Sequence, residues 1–360
     1  MLSIQPTRSR PDAASGAERF ITELWALADI QVNGDRPWDV HVHNPDFFRR
    51  VVSQGTLGLG EAYVDGWWDC DRLDVAFEKA MTAQLEDKLK FNLPLALDLV
   101  KARLFNRQTK SRSKTVAEIH YNLGNEFYAD MLDPYMQYTC AYWSKDGKEA
   151  ATLDEAQENK LDLVCRKLDL KPGMTVLELG CGWGGFARFA AERYGAHVTA
   201  YNISTEQVAY GRARTQGLPV DIRLQDYRDA EGQYDRVVSI GMCEHVGYRN
   251  YRTFFETIHR CLKDGGLALV HTIGGLKSVT SIEPWLGKYI FPHAMLPSVA
   301  QLSRAMEDLF VVEDWHNFGA DYDKTLMAWL ENFERHWHKH REAYGDRFHR
   351  MWVYYLTICA

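Results

Sequence analysis

The sequence lacks an excess of basic residues, paired cysteines and long apolar runs. Its 42 Lys and Arg residues are outnumbered by 49 Asp and Glu residues, giving a net charge of −7, so a nucleic-acid partner is not expected. The seven cysteines are scattered and include no C-x-x-C pair, which argues against a disulfide framework and a zinc site. We therefore expect no metal and a reducing, cytoplasmic location.

No segment of the chain is predicted to cross a membrane. Residues 1–17 lack the apolar core of a signal peptide. The most apolar stretch, Phe91–Phe105, contains a proline and three charged residues, so it is too short and too charged to span a bilayer. Any contact with a membrane is therefore expected to be peripheral.

Two features leave a lipid surface open as a partner. Aromatic residues are plentiful, with 11 Trp, 18 Tyr and 16 Phe. Most of them should fill a core, but some could line an apolar pocket or touch a membrane. Residues 101–114 include six basic residues and no acidic one. This segment is either a solvated linker or a site for anionic headgroups, where each basic residue contributes about 1 kcal/mol.

The chain is predicted to have four parts: a flexible lead (1–16), a small N-terminal α+β domain (17–90), a helical basic linker (91–115) and a larger domain (116–360). In the small domain, the spacing of apolar residues predicts a helix over Ala17–Ala28, and alternation predicts a strand over Asp39–Asn44. A second helix is expected from Asp46 to Gln54, ending at Gly55.

The larger domain alternates helices and strands. Thr152 to Glu155 has the pattern of a capping box that opens a helix. Strands are then predicted at Thr175–Leu179, His197–Tyr201, Asp221–Leu224, Arg236–Ile240 and Leu267–Thr272, with helices at Phe186–Tyr194 and Ser204–Gln216. This order is typical of an α/β fold with a mainly parallel sheet and helices on both faces.

A glycine-rich turn, Glu178 to Gly185, follows the first of these strands. Gly180, Gly182 and Gly184 lack a Cβ, so the backbone can turn tightly and approach a ligand closely. The glycine pattern occurs in dinucleotide-binding folds as well. Here the acidic Glu178 lies inside the motif, as in the E/D-x-G-x-G-x-G signature of methyltransferases.

The second strand favours S-adenosylmethionine as the cofactor over NAD. It ends at Tyr201-Asn202, without the acidic residue that would bind the ribose of NAD. The adenine should lie near Asp226 and Tyr227, which follow the third strand. An acidic residue and an aromatic ring at that place could bind the amino group and the face of the base.

Polar residues also follow the fourth and fifth strands. Glu244 and His245 lie in a turn after the fourth strand, and His271 ends the fifth. Each could be structural when it is considered alone. Because ligands of parallel α/β sheets bind beyond the carboxyl ends of the strands, the two positions together favour a reaction site near the transferred methyl group.

Six stretches resemble the bacterial cyclopropane-fatty-acid synthases, which are related to the mycolic-acid cyclopropane synthases. The likeness extends from about Phe20 to the last residue, and the stretches are Asn44–Phe48, Gly58–Glu61, Asp65–Trp68, His120–Asn125, Met136–Trp143 and Asp314–Gly319. It implies a Rossmann-like class I S-adenosylmethionine-dependent methyltransferase domain preceded by a small α+β domain. That small domain is expected to present lipid and to mediate formation of a homodimer.

The resemblance implies transfer of a methylene group from S-adenosylmethionine to the cis double bond of an unsaturated phospholipid acyl chain. Methyl transfer leaves a carbocation, and loss of a proton from the new methyl group closes the cyclopropane ring. The base in this family is thought to be bound bicarbonate. The enzyme is then expected to associate transiently with the inner face of the membrane.

The resemblance also assigns residues to these two ligands. The bicarbonate site would comprise Cys140, Glu244, His271, Ile273 and Tyr322, with Cys140 and Ile273 contributing backbone groups. The cofactor contacts would be Tyr138, Thr139, Leu177, Gly180, Gly182, Asn202 and Gln207.

Two chemical expectations accompany this assignment. Glu244 beside an anion should share a proton or have a raised pKa. Aromatic faces near the alkene could stabilise the cation, among them Tyr138, Tyr142 and Trp143.

Three positions depart from the family pattern or are ambiguous within it. Cys359 matches a cysteine once favoured as catalytic, but a thiolate would itself be alkylated or would trap the cation, so we expect a structural role. Cys243 stands where relatives often carry Phe. The chain stops at Ala360, whereas relatives continue into a last aromatic-rich, basic strand, so we expect the sheet to lack that strand.

Three alternative functions stay open at this point. The chain could be an enzyme of the same cofactor class that stops after methyl transfer, or one that acts on a small soluble molecule. It could also be a lipid-binding module with a vestigial cofactor loop. The intact turn at Glu178, together with Glu244 and His271, argues against that last alternative.

Overall fold

The computed structural model of the chain describes residues 12–85 and 123–360. They form two units, one of residues 12–85 with 341–359 and the other of residues 123–340. Residues 1–11 of the predicted lead, the predicted basic linker (91–115) and residues 120–122 of one family-like stretch lie outside the described residues.

The small unit begins with short helices and a two-stranded ribbon. Up to residue 85 its elements are α1 (Asp12–Ala26), β1 (His41–Val42), α2 (Asp46–Val64), β2 (Trp68–Asp69) and α3 (Leu73–Thr82). β1 pairs with β2 in the antiparallel sense. Aromatic rings form the core, since the ring centroid of Trp68 lies 6.0, 6.1 and 5.2 Å from those of Trp25, Phe47 and Tyr63. The predicted α+β class of this part is confirmed.

Three predicted elements of the small unit have different bounds in the structure. α1 begins at Asp12, inside the predicted flexible lead, where alanines favour a helix. The predicted strand contracts to β1 because the preceding Asp39 is held in a turn, its carboxylate accepting hydrogen bonds from the backbone N–H groups of Gln31 (2.8 Å) and Arg36 (3.0 Å). α2 continues past Gly55, whose dihedral angles (φ 60°, ψ −138°) kink the helix without ending it.

The larger unit alternates helices and strands as predicted. Its elements are α4 (Asn125–Met131), β3 (Ser144–Lys145), β4 (Lys148–Glu149), α5 (Leu153–Lys167), β5 (Thr175–Leu179), α6 (Gly185–Tyr194), β6 (His197–Asn202), α7 (Thr205–Arg214), β7 (Val220–Leu224), β8 (Tyr234–Ile240), α8 (Cys243–Val246), α9 (Tyr251–Cys261), β9 (Leu262–His271), α10 (Pro284–Tyr289), α11 (Val299–Met306) and the start of α12 (Asp321–Cys359).

Strands β5 to β9 form one parallel sheet in the order β7-β6-β5-β8-β9. Successive residues of β5 enter different cores, because side chains alternate across a strand. Val176 packs into a cluster with Phe186 of α6, and Leu177 into a second cluster with Phe254 of α9. The predicted α/β class is therefore confirmed, and all the carboxyl ends of the strands lie at one edge of the sheet.

Two predicted helix starts, at Thr152 and Ser204, are confirmed, although the capping box predicted at Thr152 does not make its reciprocal bond. Thr152 Oγ1 accepts a hydrogen bond from Glu155 N (3.2 Å), but the Glu155 carboxylate bonds the backbone N–H of Ala151 instead of Thr152. Ser204 Oγ likewise accepts from Gln207 N (3.4 Å). The Gln207 side chain bonds Asn202 instead, its Oε1 accepting from Asn202 Nδ2.

The last helix, α12, belongs to both units. Residues 341–359 group with the small unit, whereas the sequence placed them in the larger domain. The reason is packing that sequence spacing does not reveal: the ring of Tyr354 lies 5.4 Å from the rings of both Tyr63 and Phe77, and Arg347 forms an ion pair with Asp65.

Strands β7 and β9 form the two edges of the parallel sheet, which has five strands within the described residues. None of the helices built from residues 12–85 and 123–360 has the length and apolar character needed to cross a membrane.

Candidate active site

The glycine turn after β5 is packed tightly against its neighbours. Gly180 has a φ of 79°, and a Cβ on it would lie 2.7 Å from the sulfur of Met242. The backbone N–H groups of Gly180 and Cys181 both donate to the carbonyl of Tyr201, at 2.9 and 3.1 Å. The turn is therefore fixed between the ends of β6 and β8. Gly182 (φ 52°) has open space beside it.

The predicted cofactor residue Asn202 holds this turn from the end of β6, and a second one, Gln207 in α7, bonds to Asn202. Asn202 Nδ2 donates to the carbonyl of Gly182 and to Gln207 Oε1, each at 2.8 Å, and Asn202 Oδ1 accepts from Ser204 N (3.0 Å). Gln207 Nε2 is buried and has no hydrogen-bond partner among the residues that the structure describes. Gln207 thus presents a free donor close to the turn.

Glu178 lies in the middle of the sheet just before the turn. Its side chain is buried, and burial raises the pKa of this carboxyl to about 8, although the charge of Lys160 acts to lower it. Glu178 Oε2 finds no hydrogen-bond partner within the described ranges. Together with the open space at Gly182 and the free donor of Gln207, this fits a polar cofactor on the turn.

Asp226 and Tyr227 follow β7, as predicted. The Asp226 carboxylate accepts from the backbone N–H of Arg228 (2.9 Å) and from its guanidinium (3.0 Å). Tyr227 is buried, with its ring 5.7 Å from that of Phe254 and under the guanidinium of Arg228. The carboxylate that the sequence assigned to the adenine amino group is thus engaged by Arg228.

Glu244 is buried in α8, directly beyond β8. Its Oε1 accepts a hydrogen bond from the backbone N–H of Ile273 at 2.7 Å, while Oε2 has no partner in the part of the chain that is described. Burial raises the pKa of Glu244, as expected, with desolvation as the cause. The structure therefore brings Glu244 and Ile273 together.

His271 ends β9 and lies against an aromatic ring. Its imidazole stacks on Phe318 with centroids 5.4 Å apart, and its Nδ1 is buried without a hydrogen-bond partner among the described residues. Burial, with the charge of Lys160, lowers the pKa of His271 to about 3. His271 is therefore uncharged at neutral pH.

Phe318 also connects His271 to Cys140. The Cys140 sulfur lies 4.0 Å from the carbonyl oxygen of Phe318, and burial raises the pKa of this thiol to about 12. Tyr142 and His316 complete an aromatic wall here, since each ring lies within 5.5 Å of its neighbours and of Phe318.

The other predicted site residues, Tyr322, Leu177 and Cys359, lie in three different surroundings. The ring of Tyr322 meets that of Trp329 edge-on, and Trp329 contacts Tyr138 (5.1 Å). The side chain of Leu177 is enclosed in the core between the sheet and α9, so only its backbone could face a cofactor. Cys359 is a half-buried residue of the small unit.

Sequence reasoning missed a set of buried polar residues beneath the segment that carries Tyr138 and Thr139. They are Asp133, Gln157 and Lys160, of which Lys160 has no exposed surface. One signal was available: Lys160 has the helical spacing of the apolar residues of α5, which the structure confirms as its buried face.

No group of three or more His, Cys, Asp or Glu residues suited to a metal ion occurs in residues 12–85 and 123–360.

Residues 107–360 match the sequence model of the family Mycolic acid cyclopropane synthetase. Cyclopropane-fatty-acyl-phospholipid synthase of Escherichia coli (strain K12) is 52% identical over 95% of this chain and 88% of its own. A probable fatty acid methyltransferase of Pseudomonas putida is 33% identical over 94% of this chain and 86% of its own. The structure of the mycolic acid cyclopropane synthase CmaA1 complexed with SAH and CTAB has 30% identity and a TM-score of 0.63, covering 68% of this chain and 92% of that one.

Proposed function

We propose a specific reaction for this chain, which belongs to the mycolic acid cyclopropane synthetase family and is an S-adenosylmethionine-dependent enzyme. The proposed activity is transfer of a methylene group to the cis double bond of an unsaturated phospholipid acyl chain, giving a cyclopropane fatty acid. Support comes from the 52% identity to the Escherichia coli synthase across almost the whole chain. The structural observation that carries the proposal is the pair of unengaged buried atoms, Glu244 Oε2 and His271 Nδ1, beyond neighbouring strands.

The residues of the glycine turn would bind the cofactor. When bound, S-adenosylmethionine supplies an electrophilic methyl group. The unpaired Nε2 of Gln207 can donate to a cofactor oxygen, while Asn202 keeps the turn in place through Gly182. Tyr138 and Thr139 complete the proposed contacts from the opposite segment.

Glu244 and His271 would hold bicarbonate together with Cys140 and Tyr322, and Ile273 would take part in the site through Glu244. Bicarbonate would supply the proton acceptor that ring closure needs. A protonated Glu244 can donate from Oε2, and neutral His271 can donate from Nδ1 in the tautomer that carries its proton there. Since Ile273 N donates to Glu244 Oε1, we assign Ile273 the task of orienting Glu244.

Aromatic rings would surround the reacting part of the acyl chain. The faces of Tyr142 and Phe318 can stabilise a cation on the lipid and exclude water that would trap it. The polar headgroup requires access from a membrane surface, so we propose transient, peripheral association with the cytoplasmic face. A homodimer, with the small unit presenting lipid, completes the proposal.

A second candidate is methylation of a lipid double bond without ring closure. The relative from Pseudomonas putida, named a probable fatty acid methyltransferase, favours it. The two candidates differ only in the fate of the cation, because proton loss elsewhere would leave a methyl branch.

The test is to incubate the protein with vesicles of unsaturated phospholipid and isotopically labelled S-adenosylmethionine. Both candidates add the same mass, so the labelled lipid must be examined by NMR. Cyclopropane ring protons are expected. A branched methyl signal would select the second candidate, and unlabelled lipid from a protein that binds S-adenosylhomocysteine would contradict both.

A further inference from the structure

Lys160 is a fully buried lysine in the middle of α5. Its ammonium group donates to Gln137 Oε1 and to Thr139 Oγ1, the latter at 2.9 Å. Removing an ammonium group from water costs several kcal/mol unless it is paired and hydrogen-bonded. A methionine would fill a similar space without that cost, so packing alone does not account for a lysine here.

The side chain of Gln157, one turn earlier in α5, binds the backbone of the same segment. Its Nε2 donates to the carbonyls of Gln137 (3.3 Å) and Thr139 (2.9 Å). Residues 137–139, the held segment, are therefore bound twice from this face of α5. Lys160 binds their side chains, and Gln157 binds their main chain.

The held segment packs directly on the glycine turn. The Gln137 side chain donates from Nε2 to the carbonyl of Tyr135 (3.2 Å). A Cβ on Gly185, the last residue of the turn, would lie 1.9 Å from that carbonyl oxygen and 2.4 Å from Gln137 Nε2. Movement of residues 135–139 would therefore be transmitted to the turn at once.

The charge of Lys160 interacts with four titratable groups. They are Asp133 and Cys140, which flank the held segment, Glu178 in β5 and His271 in β9. The Asp133 carboxylate accepts from the backbone N–H groups of Tyr135 and Gln137, both at 2.8 Å. Lys160 is thus a central cation among groups assigned to both the cofactor and the base.

We propose that Lys160 is a positioning residue for the cofactor: its ammonium group fixes the Gln137–Thr139 segment against the glycine turn, so that Tyr138 and Thr139 are correctly placed. Lys160 itself does not touch the cofactor. The inference rests on the proposed function only in taking S-adenosylmethionine as the ligand of the turn, and is independent of the lipid product.

The test compares Lys160→Met with the wild type by calorimetric binding of S-adenosylhomocysteine. The dissociation constant is expected to rise at least about tenfold, with the KM for S-adenosylmethionine rising in parallel and the KM for phospholipid unchanged. The control is Lys148→Met, because Lys148 is an exposed lysine of β4. It should leave both constants as in the wild type.

A purely structural role would lower thermal stability and raise both KM values together, and that result would overturn the proposal, as would unchanged S-adenosylhomocysteine affinity. If Lys160→Met does not fold, Gln137→Met carries the test, since it removes one acceptor of the ammonium group. It should weaken S-adenosylhomocysteine binding at least about threefold, and wild-type affinity would overturn the proposal. A wild type that binds S-adenosylhomocysteine yet forms no cyclopropane would contradict the proposed function alone.

Discussion

Glu244 and His271 respond to burial in opposite directions and reach the same state. Burial raises the pKa of the Glu244 carboxyl because the carboxylate anion is poorly solvated there. Burial lowers the pKa of His271 to about 3 because the imidazolium cation is poorly solvated as well. Both side chains are therefore favoured in their neutral forms. Neutral donors can bind an anion without the repulsion that a carboxylate would add.

This state gives a prediction for Glu244. Glu244→Gln retains an acceptor for Ile273 N and a neutral donor, so kcat should stay within about tenfold of the wild type. Glu244→Leu removes both and should lower kcat about 10²-fold or more, the scale of losing a hydrogen-bond donor that holds an anion in an active site. Cyclopropane formation and S-adenosylhomocysteine binding are measured for each variant.

Glu256→Gln, on the exposed side of α9, is the matched control and should behave as the wild type. Equal, severe loss in Glu244→Gln and Glu244→Leu would mean that Glu244 acts as a charged carboxylate.

The sequence located the polar strand ends but not all of their neighbours. Glu244 and His271 were recognisable because ligands bind beyond parallel strands. Lys160 was not, because a charged side chain on a helix is usually solvated. The pairing of Asp226 with Arg228 was also hidden, since two residues adjacent to a turn can face many directions.

At the scale of elements, two glycines separate the effect of backbone strain from the effect of a steric clash. Gly180 and Gly173 have nearly the same φ, 79° and 81°, but only Gly180 would place a Cβ against a neighbour, the sulfur of Met242. Alanine should cost roughly 1–2 kcal/mol of stability at either position from backbone strain.

Gly180→Ala should additionally weaken S-adenosylhomocysteine binding at least about tenfold, since Met242 or the turn must move. Thermal unfolding and calorimetric binding separate the two effects. Gly173→Ala is the control, and its affinity should equal that of the wild type. Equal affinities in both variants would show that the turn tolerates displacement.

Strand β5 was predictable because Thr175–Leu179 is a short, largely apolar run between Gly173 and the glycine turn. Gly55 shows the limit of that reasoning. A glycine with φ of 60° can end a helix or kink it, and the outcome depends on whether later residues find a core. Here Ala62 and Tyr63 are buried, so the helix resumes.

The turn before β1 depends on one carboxylate. Burial alone would raise the pKa of Asp39, but hydrogen bonds from Arg36 and from the backbone of Gln31 lower it to about 2. A lowered pKa contributes stability above the unfolded value of about 4, and this contribution is lost as the pH falls through about 2.

Asp39→Asn should therefore lower the denaturant midpoint at pH 7, and the difference from the wild type should shrink between pH 4 and pH 2. Urea titrations at several pH values measure it. Asp71→Asn, at an exposed position of the same unit, should show no such trend. A constant difference at all pH values would contradict the role of the charge.

On the scale of the whole molecule, the family model and the relatives match different lengths of the chain. The family match begins at residue 107, whereas the Escherichia coli synthase matches 95% of the chain. Residues 12–85 thus lie outside the part that the family model matches, which agrees with their proposed task of presenting lipid.

The basic linker gives a prediction at the same scale, although it lies outside the described residues. Replacing all six basic residues between Lys101 and Lys114 by Glu should weaken binding to anionic vesicles more than tenfold, at about 1 kcal/mol per residue. Vesicle sedimentation at two salt concentrations measures it. Neutral vesicles serve as the control, and unchanged binding with unchanged salt dependence would make the segment a simple linker.

The raised pKa of the Cys140 thiol has a consequence for the chemical stability of the enzyme. A sulfonium reagent consumes any good nucleophile within reach, and thiolates are among the best that proteins contain. With its proton retained up to a pKa of about 12, this sulfur is a poor target at physiological pH. If S-adenosylmethionine binds near Cys140, as the proposed function requires, this protonation protects the enzyme from alkylating its own thiol.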